Sequence, residues 1–492
     1  MKVLLVYPKY PDTFWSFKYA LPFISKKAAC PPLGLLTVAA MLPEDWDIKL
    51  LDVNVEKLTD QHIKWADMVF ISAMLVQKNS AQEIILRCKQ YGKTVVAGGP
   101  AFTAEPKKFK GVDHFILGEA EITLALFLND LKNGIAKQVY VSENKPDLKI
   151  TPIPMWSLID FKNYASMAIQ FSRGCPFYCE FCGIHIMFGR VPRTKAPKQI
   201  VAEVQSLYDA GWKGSIFFVD DNFIGNKKKV KKMLLLLINL QRKYKRPCPL
   251  VTQADVGLAK DEDLMRLMSA ANFNKVFIGI ESTSEASFKE CGKIQNIGVN
   301  LKEDVRIIHR HGIQVMGGFI VGFDQDDASI FESIIEFIQS TGIVTAMVGI
   351  LNALPQTRLW QRLQAEGRLL KDTTGDNTDG FLNFDPIMGV KILIEGYKKM
   401  VGILYSPRIY YQRINTFLKI YNPTVKGRFS RDDIKALFIS MLLIGIFSRS
   451  SPYYWKLILK TLFTKPRLLY TAIEMAIMGW HFGKVAENIR RP

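Results

Sequence analysis

The stretch "FSRGCPFYCEFCGIHIMFGR" at residues 171–190 holds three of the seven cysteines of this 492-residue chain. Cys175, Cys179 and Cys182 come directly after an apolar run that predicts a buried strand. The other four cysteines are scattered singly, and seven cysteines are too few for a disulfide framework in a chain of this length. Three thiols at one predicted strand end therefore indicate a metal centre.

Two kinds of metal centre agree with this spacing. His185, three residues after Cys182, would complete a tetrahedral zinc site with three cysteines and one histidine. A cubane iron–sulfur cluster usually takes four thiolates, so three would leave one iron open for another ligand. The spacing alone leaves both hypotheses open, and a zinc site would also suit a binding module without catalytic activity.

Residues 1–145 are predicted to form a doubly wound, Rossmann-like α/β domain. Five short apolar runs without polar alternation are typical of strands buried on both faces of a parallel sheet. The predicted strands are "KVLLVYP" (2–8), "IKLLDVN" (48–54), "MVFISAML" (68–75), "KTVVAGGP" (93–100) and "HFILGEA" (114–120). Ligands of such a fold bind outside the carboxyl ends of the strands.

Small or polar residues stand at three of those strand ends. Glycines at such a place let a large ligand approach the backbone closely. The fingerprint G-x-G-x-x-G is absent, which argues against a dinucleotide. The ends predict a site for another large cofactor, with ordinary turn chemistry as the alternative; the residues are Ser72, Gly98, Gly99, Pro100, Gly118 and Glu119.

Residues 146–384 are predicted to form a partial (β/α)₆ barrel. Six more apolar runs alternate with helical patterns, which is too few for the eight-fold barrel. Sites in barrels of this kind lie at the carboxyl ends of the strands, and the cysteine stretch follows the first strand. The runs are "MAIQFSRG", "GSIFFVDDNF", "PLVTQADV", "KVFIGIES", "QVMGGFIVGF" and "TAMVGILNALP".

Residues 385–492 are predicted to form a basic helical tail. The chain has a net charge of +19, and residues 391–492 hold 18 lysines and arginines against five acidic residues. Basic residues between amphipathic, aromatic-rich helices suit an anionic membrane surface, although a helical cap on the barrel is the alternative. No apolar run reaches the length of a spanning helix.

The predicted location is the reducing cytoplasm, with peripheral contact on the inner face of the membrane. The first residues, "MKVLLVYPKYPD", predict a buried strand and not a signal peptide. The concentration of positive charge in the tail argues against a nucleic-acid partner, and none is expected.

The spacing C-x₃-C-x₂-C, with Phe181 just before the third cysteine, resembles the radical S-adenosylmethionine (SAM) signature. The resemblance implies a 4Fe–4S cluster whose open iron binds SAM. Together with the predicted first domain, the resemblance extends to the cobalamin-binding radical SAM family. The segments "FGRVPRTKAPKQI" (188–200) and "LNALPQTRLWQRLQAEGRL" (351–369) resemble the subgroup that contains the hopanoid C-2 methylase.

The resemblance also implies site residues. The strand ends Ser72, Gly98-Gly99-Pro100 and Gly118-Glu119 would border cobalamin. Helix or strand-end capping is the alternative for Asp221 and Glu281. The residues implied for SAM are Phe181, Asp220, Asp221, Glu281, Gly318 and Gly322, and no catalytic side chain is assigned.

The implied activity is methylation of an unactivated carbon, on a hopanoid or another membrane lipid, with an external electron donor. The alternative is a radical SAM enzyme that forms a C–C bond or ring in a lipid without methyl transfer. The motif D-x-H-x-x-G is absent, so cobalamin is expected without a protein histidine on cobalt. Gly183 follows the last cysteine where relatives often carry aspartate, and substrate choice is expected in "GIHIMFGR" (183–190).

Overall fold

The computed structural model describes residues 1–245, 247–423 and 431–490. Two six-stranded parallel sheets and a terminal group of helices make up this part of the chain. The predicted fold class, a doubly wound domain followed by a partial barrel and a helical region, is confirmed. The boundaries at residues 145 and 384 stay predictions.

The first sheet has the strand order β2-β1-β3-β4-β5-β6, with every pair parallel. Its strands are β1 Lys2–Tyr7, β2 Asp47–Asp52, β3 Met68–Ser72, β4 Thr94–Gly98, β5 His114–Ile116 and β6 Val139–Tyr140. The helices are α1 Leu33–Ala39, α2 Asp60–Trp65, α3 Lys78–Gln90, α4 Pro100–Ala104 and α5 Ala120–Lys132. Strand order reverses between β1 and β3, and this switch point is where doubly wound sheets bind ligands.

The second sheet has the order β14-β13-β12-β11-β10-β7, again parallel throughout, and its edge strands β7 and β14 do not pair. Its strands are β7 Ser166–Ile169, β10 Ser215–Phe218, β11 Leu250–Ala254, β12 Phe273–Glu281, β13 Gln314–Val321 and β14 Ala346–Ile350. A short antiparallel pair, β8 Ser172–Arg173 and β9 Arg193–Thr194, brackets the cysteine stretch. The barrel is therefore open.

Helices cover the outer face of the second sheet. These are α7 Pro197–Asp209, α8 Lys227–Gln241, α9 Glu262–Ala270, α11 Leu301–Arg310 and α12 Ile330–Thr341. The short helix α6 Ile184–Phe188 lies in the cysteine stretch, α10 Glu285–Cys291 follows β12, and α13 Arg358–Ala365 follows β14. Burial alternates along β11: Leu250 and Thr252 are fully buried against the helices, whereas Val251 between them is half-buried. The inner face of the barrel is thus a cavity wall and not a packed core.

The terminal helices are α14 Val390–Leu404, α15 Pro407–Ile420, α16 Arg431–Leu443, α17 Ser451–Thr464 and α18 Leu469–Arg490. The last of them reaches the amino ends of the barrel strands, where Glu474 pairs with Lys275 of β12 and Met475 accepts from Gln314 of β13. No helix in the described residues is long and apolar enough to cross a membrane.

An ion-pair cluster joins the first domain to the cysteine stretch. Arg173 donates to Glu119 (2.7 Å) and to Glu121 (2.8 Å), and Arg193 donates to Glu119 (2.6 Å). The side chains of both glutamates are almost completely buried, so their charges depend on the two arginines for compensation. This cluster fixes the edge of the first sheet against the start of the cysteine loop.

Candidate active site

Backbone geometry sets the start of the cysteine loop. Gly174 has φ +95°, and a Cβ there would lie 2.9 Å from the carbonyl oxygen of Gly189. The Cys175 N–H donates to that same oxygen at 3.3 Å. Only glycine fits this left-handed, crowded position, so the loop that carries the three thiols is closed tightly on itself.

Two aspartates predicted to contact SAM accept hydrogen bonds from the backbone at the start of this loop. Asp220 accepts from the Phe171 N–H (3.2 Å) and from the Ser172 N–H and hydroxyl, and Asp221 accepts from the Gly174 N–H at 2.9 Å. Burial raises the pKa of Asp220 to about 7 and that of Asp221 to about 6. Both carboxylates are committed to the backbone, and neither lines the main cavity described below. Their SAM assignment stays a prediction.

The middle of the loop is tied to α13. Glu180 accepts from Arg362 at 2.7 Å, and its backbone N–H donates to the Cys291 carbonyl at 2.8 Å. Arg362 also reaches Asp324 (2.6 Å) and Glu290 (3.4 Å). The segment at 351–369, which carries part of the family resemblance, thus anchors the loop between Cys179 and Cys182.

The three thiols are buried or half-buried. Burial raises the pKa of Cys175 and Cys179 and brings that of Cys182 to about 12, so iron must displace a proton from each. The buried ammonium of Lys293 lowers the pKa of Cys179 and thereby opposes the effect of burial. A cation here suits thiolates that carry negative charge to a cluster.

Unpaired polar atoms lie beside the thiols. Asn222 is buried, its Nδ2 is 2.8 Å from Asp255 and 4.0 Å from the Cys175 sulfur, and its Oδ1 has no partner among the described residues. Gln295 lies beside Cys179 and lowers the pKa of its thiol, and the buried Oε1 of Gln295 also lacks a described partner. Both atoms are acceptors, so a bound group that donates hydrogen bonds at the loop would satisfy them. The three thiols themselves fit an iron–sulfur cluster with one open iron.

The arrangement does not favour zinc. In the described part of the chain, no three His, Cys, Asp or Glu side chains converge closely enough to hold one metal ion. A cubane binds each thiolate to a different iron, so its ligands need not converge on a point. His185 packs edge-on against Tyr178 at 4.5 Å, and burial lowers its pKa.

Glu281 stands at an irregular end of β12. Its φ is +67°, and the pairing of β12 with β13 shifts register between Gly279 and Glu281. The carboxylate accepts from Lys293 at 2.7 Å. A bulge and a left-handed non-glycine residue are features that cluster near active sites. Glu281 thereby connects the predicted SAM region to the ammonium beside the cluster loop.

One large cavity, of about 1660 Å³, joins the two domains. It is lined at the switch point of the first sheet by Tyr7 and Ser72, beyond β4 by Pro100, and on the barrel side by Phe181. Three residues predicted for cofactors therefore share one space. Asn352 also lines it, and neither atom of its amide has a described partner.

The other residues predicted for SAM lie near this space. Glu281 and Gly318 line an adjoining cavity of about 100 Å³, which shares Trp15 and Phe277 with the large one. The N–H of Gly322 donates to Asp326 at 2.9 Å, and its Cα faces Leu393 of α14. Gly322 therefore lies outside both cavities.

The remaining residues predicted for cobalamin do not line the cavity. Gly98 packs on the Ile116 carbonyl. Gly99 has φ +89°, and a Cβ at this position would lie 2.5 Å from the Ser72 hydroxyl oxygen. Gly118 faces open space, and the Glu119 carboxylate is taken up by two arginines. The glycines thus shape the strand ends, and contact with cobalamin stays a prediction for all four.

Several residues of the site were not identified from the sequence. Lys293 and Tyr7 belong to no local motif, and Asn352 and Arg362 lie in the segment 351–369 without a role that its sequence assigns. Only the fold brings these residues to the loop or the cavity. Asn222 differs from these residues, because the family resemblance already placed it with Asp220 and Asp221 at the strand end near SAM. The structure adds its position beside the Cys175 sulfur.

Comparison with known proteins agrees with this architecture. Residues 23–128 match the B12 binding domain family, and residues 169–338 match the radical SAM superfamily. Residues 357–492 match a domain of unknown function, DUF4070.

Two relatives span nearly the whole chain. An uncharacterized methyltransferase of Synechocystis sp. is 39% identical over 498 residues, covering 100% of this chain and 93% of the relative. The hopanoid C-2 methylase of Rhodopseudomonas palustris is 33% identical over 476 residues, covering 94% and 89%.

Solved structures share the fold. The cobalamin-dependent SAM radical enzyme OxsB, with aqua-cobalamin bound, has a TM-score of 0.64 at 14% identity and covers 99% of this chain and 80% of its own. The radical SAM methyltransferase TsrM of Kitasatospora setae has a TM-score of 0.58 at 15% identity, covering 76% and 79%.

Fold and site together define a radical SAM enzyme with a cobalamin-binding domain. The chain belongs to the family of cobalamin-dependent radical SAM methyltransferases, and its cofactors are a 4Fe–4S cluster, SAM and cobalamin. The expectation of an enzyme that transfers a methyl group is thereby confirmed.

Proposed function

We propose that the enzyme methylates an unactivated carbon of a hopanoid or of another membrane lipid. The observation that carries the proposal is the apolar wall that the barrel contributes to the main cavity: Phe217, Val219, Val251, Phe277, Met316 and Ile320. Its volume of about 1660 Å³ exceeds the roughly 300–1,000 Å³ of common small-molecule sites, as a space shared by large cofactors and a substrate requires. The 33% identical relative named hopanoid C-2 methylase supports the same substrate class.

The residue assignments form part of this proposal. Cys175, Cys179 and Cys182 would bind the cluster. Phe181 and Glu281 would border SAM, whereas Ser72 and Pro100 would border cobalamin. The cofactors supply radical formation and the methyl group when bound. The chain contributes a closed loop for the thiols and an apolar space that keeps water from the reacting carbon.

Cobalamin is proposed to bind without a protein histidine on cobalt. The absence of D-x-H-x-x-G supports this, and so does the placement of the six histidines, all within the described residues. None of them lines the main cavity. Electron paramagnetic resonance of the cob(II)alamin enzyme tests the point: splitting of the signal by an axial nitrogen would contradict it.

Lipid analysis of a strain that lacks this gene tests the substrate class. We expect the strain to lose one methylated hopanoid or other methylated lipid and to accumulate the same lipid without the methyl group. Complementation with the wild-type gene should restore the methylated lipid, and Cys182→Ala should not, because the cluster loses a ligand. An unchanged lipid profile would exclude a lipid substrate.

Peripheral membrane contact is the second part of the proposal. Residues Ile434, Phe438 and Leu442 are spaced four apart on α16 and are about half exposed or more, while Ala436 and Ser440 face the core. Beyond these residues, Phe447 and Phe463 are 73% and 80% exposed. Exposed basic residues accompany them: Arg449, Lys456, Lys460, Lys465 and Arg467. Apolar residues beside positive charge suit an anionic bilayer.

Sedimentation with vesicles tests this contact. We expect the wild type to bind vesicles of anionic phospholipid, and Phe447→Ser/Phe463→Ser to reduce binding by about tenfold. Leu126→Ser is the matched control, because Leu126 is an exposed apolar residue of the first domain, 51% accessible. Equal binding by all three, or salt-sensitive binding to RNA in place of vesicles, would contradict the proposal.

A further inference from the structure

The main cavity extends from the carboxyl ends of the barrel strands, where the cofactors are proposed to bind, toward the amino ends of the same strands. Along β13 it is lined by Ile320 near the carboxyl end and by Gln314 at the amino end, and Gly312 lines it in the turn before the strand. At a rise of about 3.3 Å per residue, the two strand positions are about 20 Å apart. Along β10, Ser215, Phe217 and Val219 line it in the same way. The cavity therefore runs the length of the inner face of the barrel.

The amino end of the cavity reaches the protein surface. Lys213, Lys245 and Arg467 line it there, and all three are exposed. Asp433 and Ala436 of α16 complete this border, which is called the amino-end mouth below. The surplus of basic side chains at the mouth favours an amphiphile with an anionic end.

The amino-end mouth adjoins the apolar surface of the terminal helices. Asp433 and Ala436 line the cavity, whereas Ile434 and Phe438 of the same helix are exposed. One helix, α16, therefore separates the mouth from the surface proposed to contact the bilayer. A lipid that leaves the bilayer beside α16 has to pass only this helix to reach the cavity.

An ion pair crosses the cavity just inside the mouth. Lys275 of β12 pairs with Glu474 of α18, both line the cavity, and their side chains are 22% and 28% exposed. Thr471, one turn earlier on α18, lines the same place and is half-buried. Because both side chains keep contact with solvent, this pair can separate at a lower cost than a fully buried one.

From these contacts we infer that the lipid substrate enters the barrel at the amino-end mouth, opposite the edge where the cofactors bind. The substrate then moves along the apolar inner face toward the cysteine loop, while cobalamin and SAM occupy the carboxyl edge. This inference rests on the proposed function for the identity of the substrate. The route itself rests on the cavity, its mouth and the neighbouring helix.

A narrowed mouth tests the route. The probe is dansyl-labelled undecanoic acid, a single-chain anionic amphiphile, mixed in stopped flow with the full-length protein carrying its cluster and cobalamin. We expect Thr471→Trp to slow association of the probe by about tenfold. Glu487→Trp, on an exposed position of the same helix, is the matched control and should leave the rate unchanged.

A charge reversal at the mouth provides a second test that leaves the core intact. Lys213→Glu should slow association of the anionic probe by several-fold, and the effect should disappear at high salt. Lys228→Glu makes the same charge reversal at an exposed position of α8 that does not line the cavity, and it should not change the rate of association. Unchanged association in both Thr471→Trp and Lys213→Glu would overturn the route.

The two proposals can fail separately. The probe is not a substrate, so its rate of association reports the route even if no lipid is methylated. If the mouth variants slow the probe while the lipid profile of the deletion strain is unchanged, the substrate class is wrong and the route stands. If the mouth variants methylate the lipid and also bind the probe at wild-type rates, the route is wrong and the substrate class stands.

Discussion

At the scale of single residues, Arg362 explains how a loop of three thiols keeps its shape before a cluster forms. Its guanidinium contacts Glu180 inside the loop, and Asp324 and Glu290 outside it. The three carboxylates have little solvent access, and Asp324 has a second partner in Arg368, so removing Arg362 would leave Glu180 and Glu290 uncompensated. Arg358, one turn earlier on α13, is exposed and only stacks on Tyr178 at 4.8 Å.

Arg362→Met should therefore lower the free energy of unfolding of the apo protein by about 3–5 kcal/mol and reduce iron retention after reconstitution. Arg358→Met should cost less than about 1 kcal/mol, as expected for an exposed cation–π contact. Denaturant unfolding and iron content measure both effects. Equal losses in the two variants would show that the anchor is not specific to Arg362.

Lys293 should influence the reduction potential of the cluster. Its buried ammonium favours negative charge on the neighbouring thiolates, and reduction adds one more negative charge. Lys293→Met combined with Glu281→Gln leaves no unpaired carboxylate and removes two opposing charges, of which Lys293 acts more strongly on Cys179. The variant should lower the potential by less than about 60 mV, the shift that corresponds to about 1.4 kcal/mol for one electron. A redox titration followed by paramagnetic resonance measures it, and an unchanged or higher potential would contradict this role.

The sequence predicted the cluster ligands but not their supports. The three cysteines lie within eight positions, so their chemistry is local. Lys293 and Arg362 are 111 and 180 residues from Cys182, and no spacing rule connects them to it. Asp220 and Asp221 were predicted at the right strand end, yet sequence does not show whether a carboxylate faces a ligand or the backbone.

At the scale of elements, α18 joins the terminal helices to the beginning of the chain. His481 is fully buried, its Nε2 lies 3.0 Å from the Phe14 carbonyl, and its Nδ1 accepts from the Tyr19 N–H at 3.4 Å. These two contacts require the neutral imidazole. Burial accordingly lowers the pKa of His481 to about 4.

This histidine makes the attachment of α18 sensitive to acid. The unfolded chain binds a proton near pH 6.5 and the folded chain only near pH 4, so the stabilisation present above pH 6.5 is lost as the pH falls toward 4. The loss is on the order of 3 kcal/mol for the apo protein. His481→Gln should remove this part of the pH dependence in denaturant titrations. An identical pH profile in wild type and variant would contradict it.

Most long elements were predictable, and the short ones were not. Buried apolar runs marked eleven strands, whereas β6, β8 and β9 have two residues each and carry no pattern of their own. The tail sequence predicted helices, of which α16 has one exposed apolar stripe. Exposure of that stripe depends on packing against other elements, which a single sequence does not reveal.

At the scale of the whole molecule, the buried cluster around Arg173 couples the two sheets. It unites Glu119 and Glu121 of the first domain with Arg173 and Arg193 of the barrel. Glu119 was predicted to border cobalamin, and the structure gives its carboxylate a contact between domains. The cluster sets the distance between the strand edges that share the main cavity.

Arg173→Met should lower the free energy of unfolding by about 3–5 kcal/mol and separate unfolding of the two domains into two steps, because it leaves Glu121 buried without a cation and leaves Glu119 with Arg193 alone. Arg87→Met is the matched control, since Arg87 pairs with Asp60 at an exposed position within the first domain. This control should cost less than about 1 kcal/mol. A single cooperative transition in Arg173→Met, equal in stability to the control, would exclude the coupling.

One reconstitution experiment tests the central claim most directly. The protein, with its cluster, cobalamin and a chemical reductant, is mixed with trideuteriomethyl-labelled SAM and a hopanoid in anionic vesicles, and the lipid is analysed by mass spectrometry. The account predicts a hopanoid in which one trideuteriomethyl group replaces hydrogen, formed together with 5′-deoxyadenosine and only when cobalamin is present. Formation of 5′-deoxyadenosine with no labelled lipid, or lipid labelling without cobalamin, would contradict it.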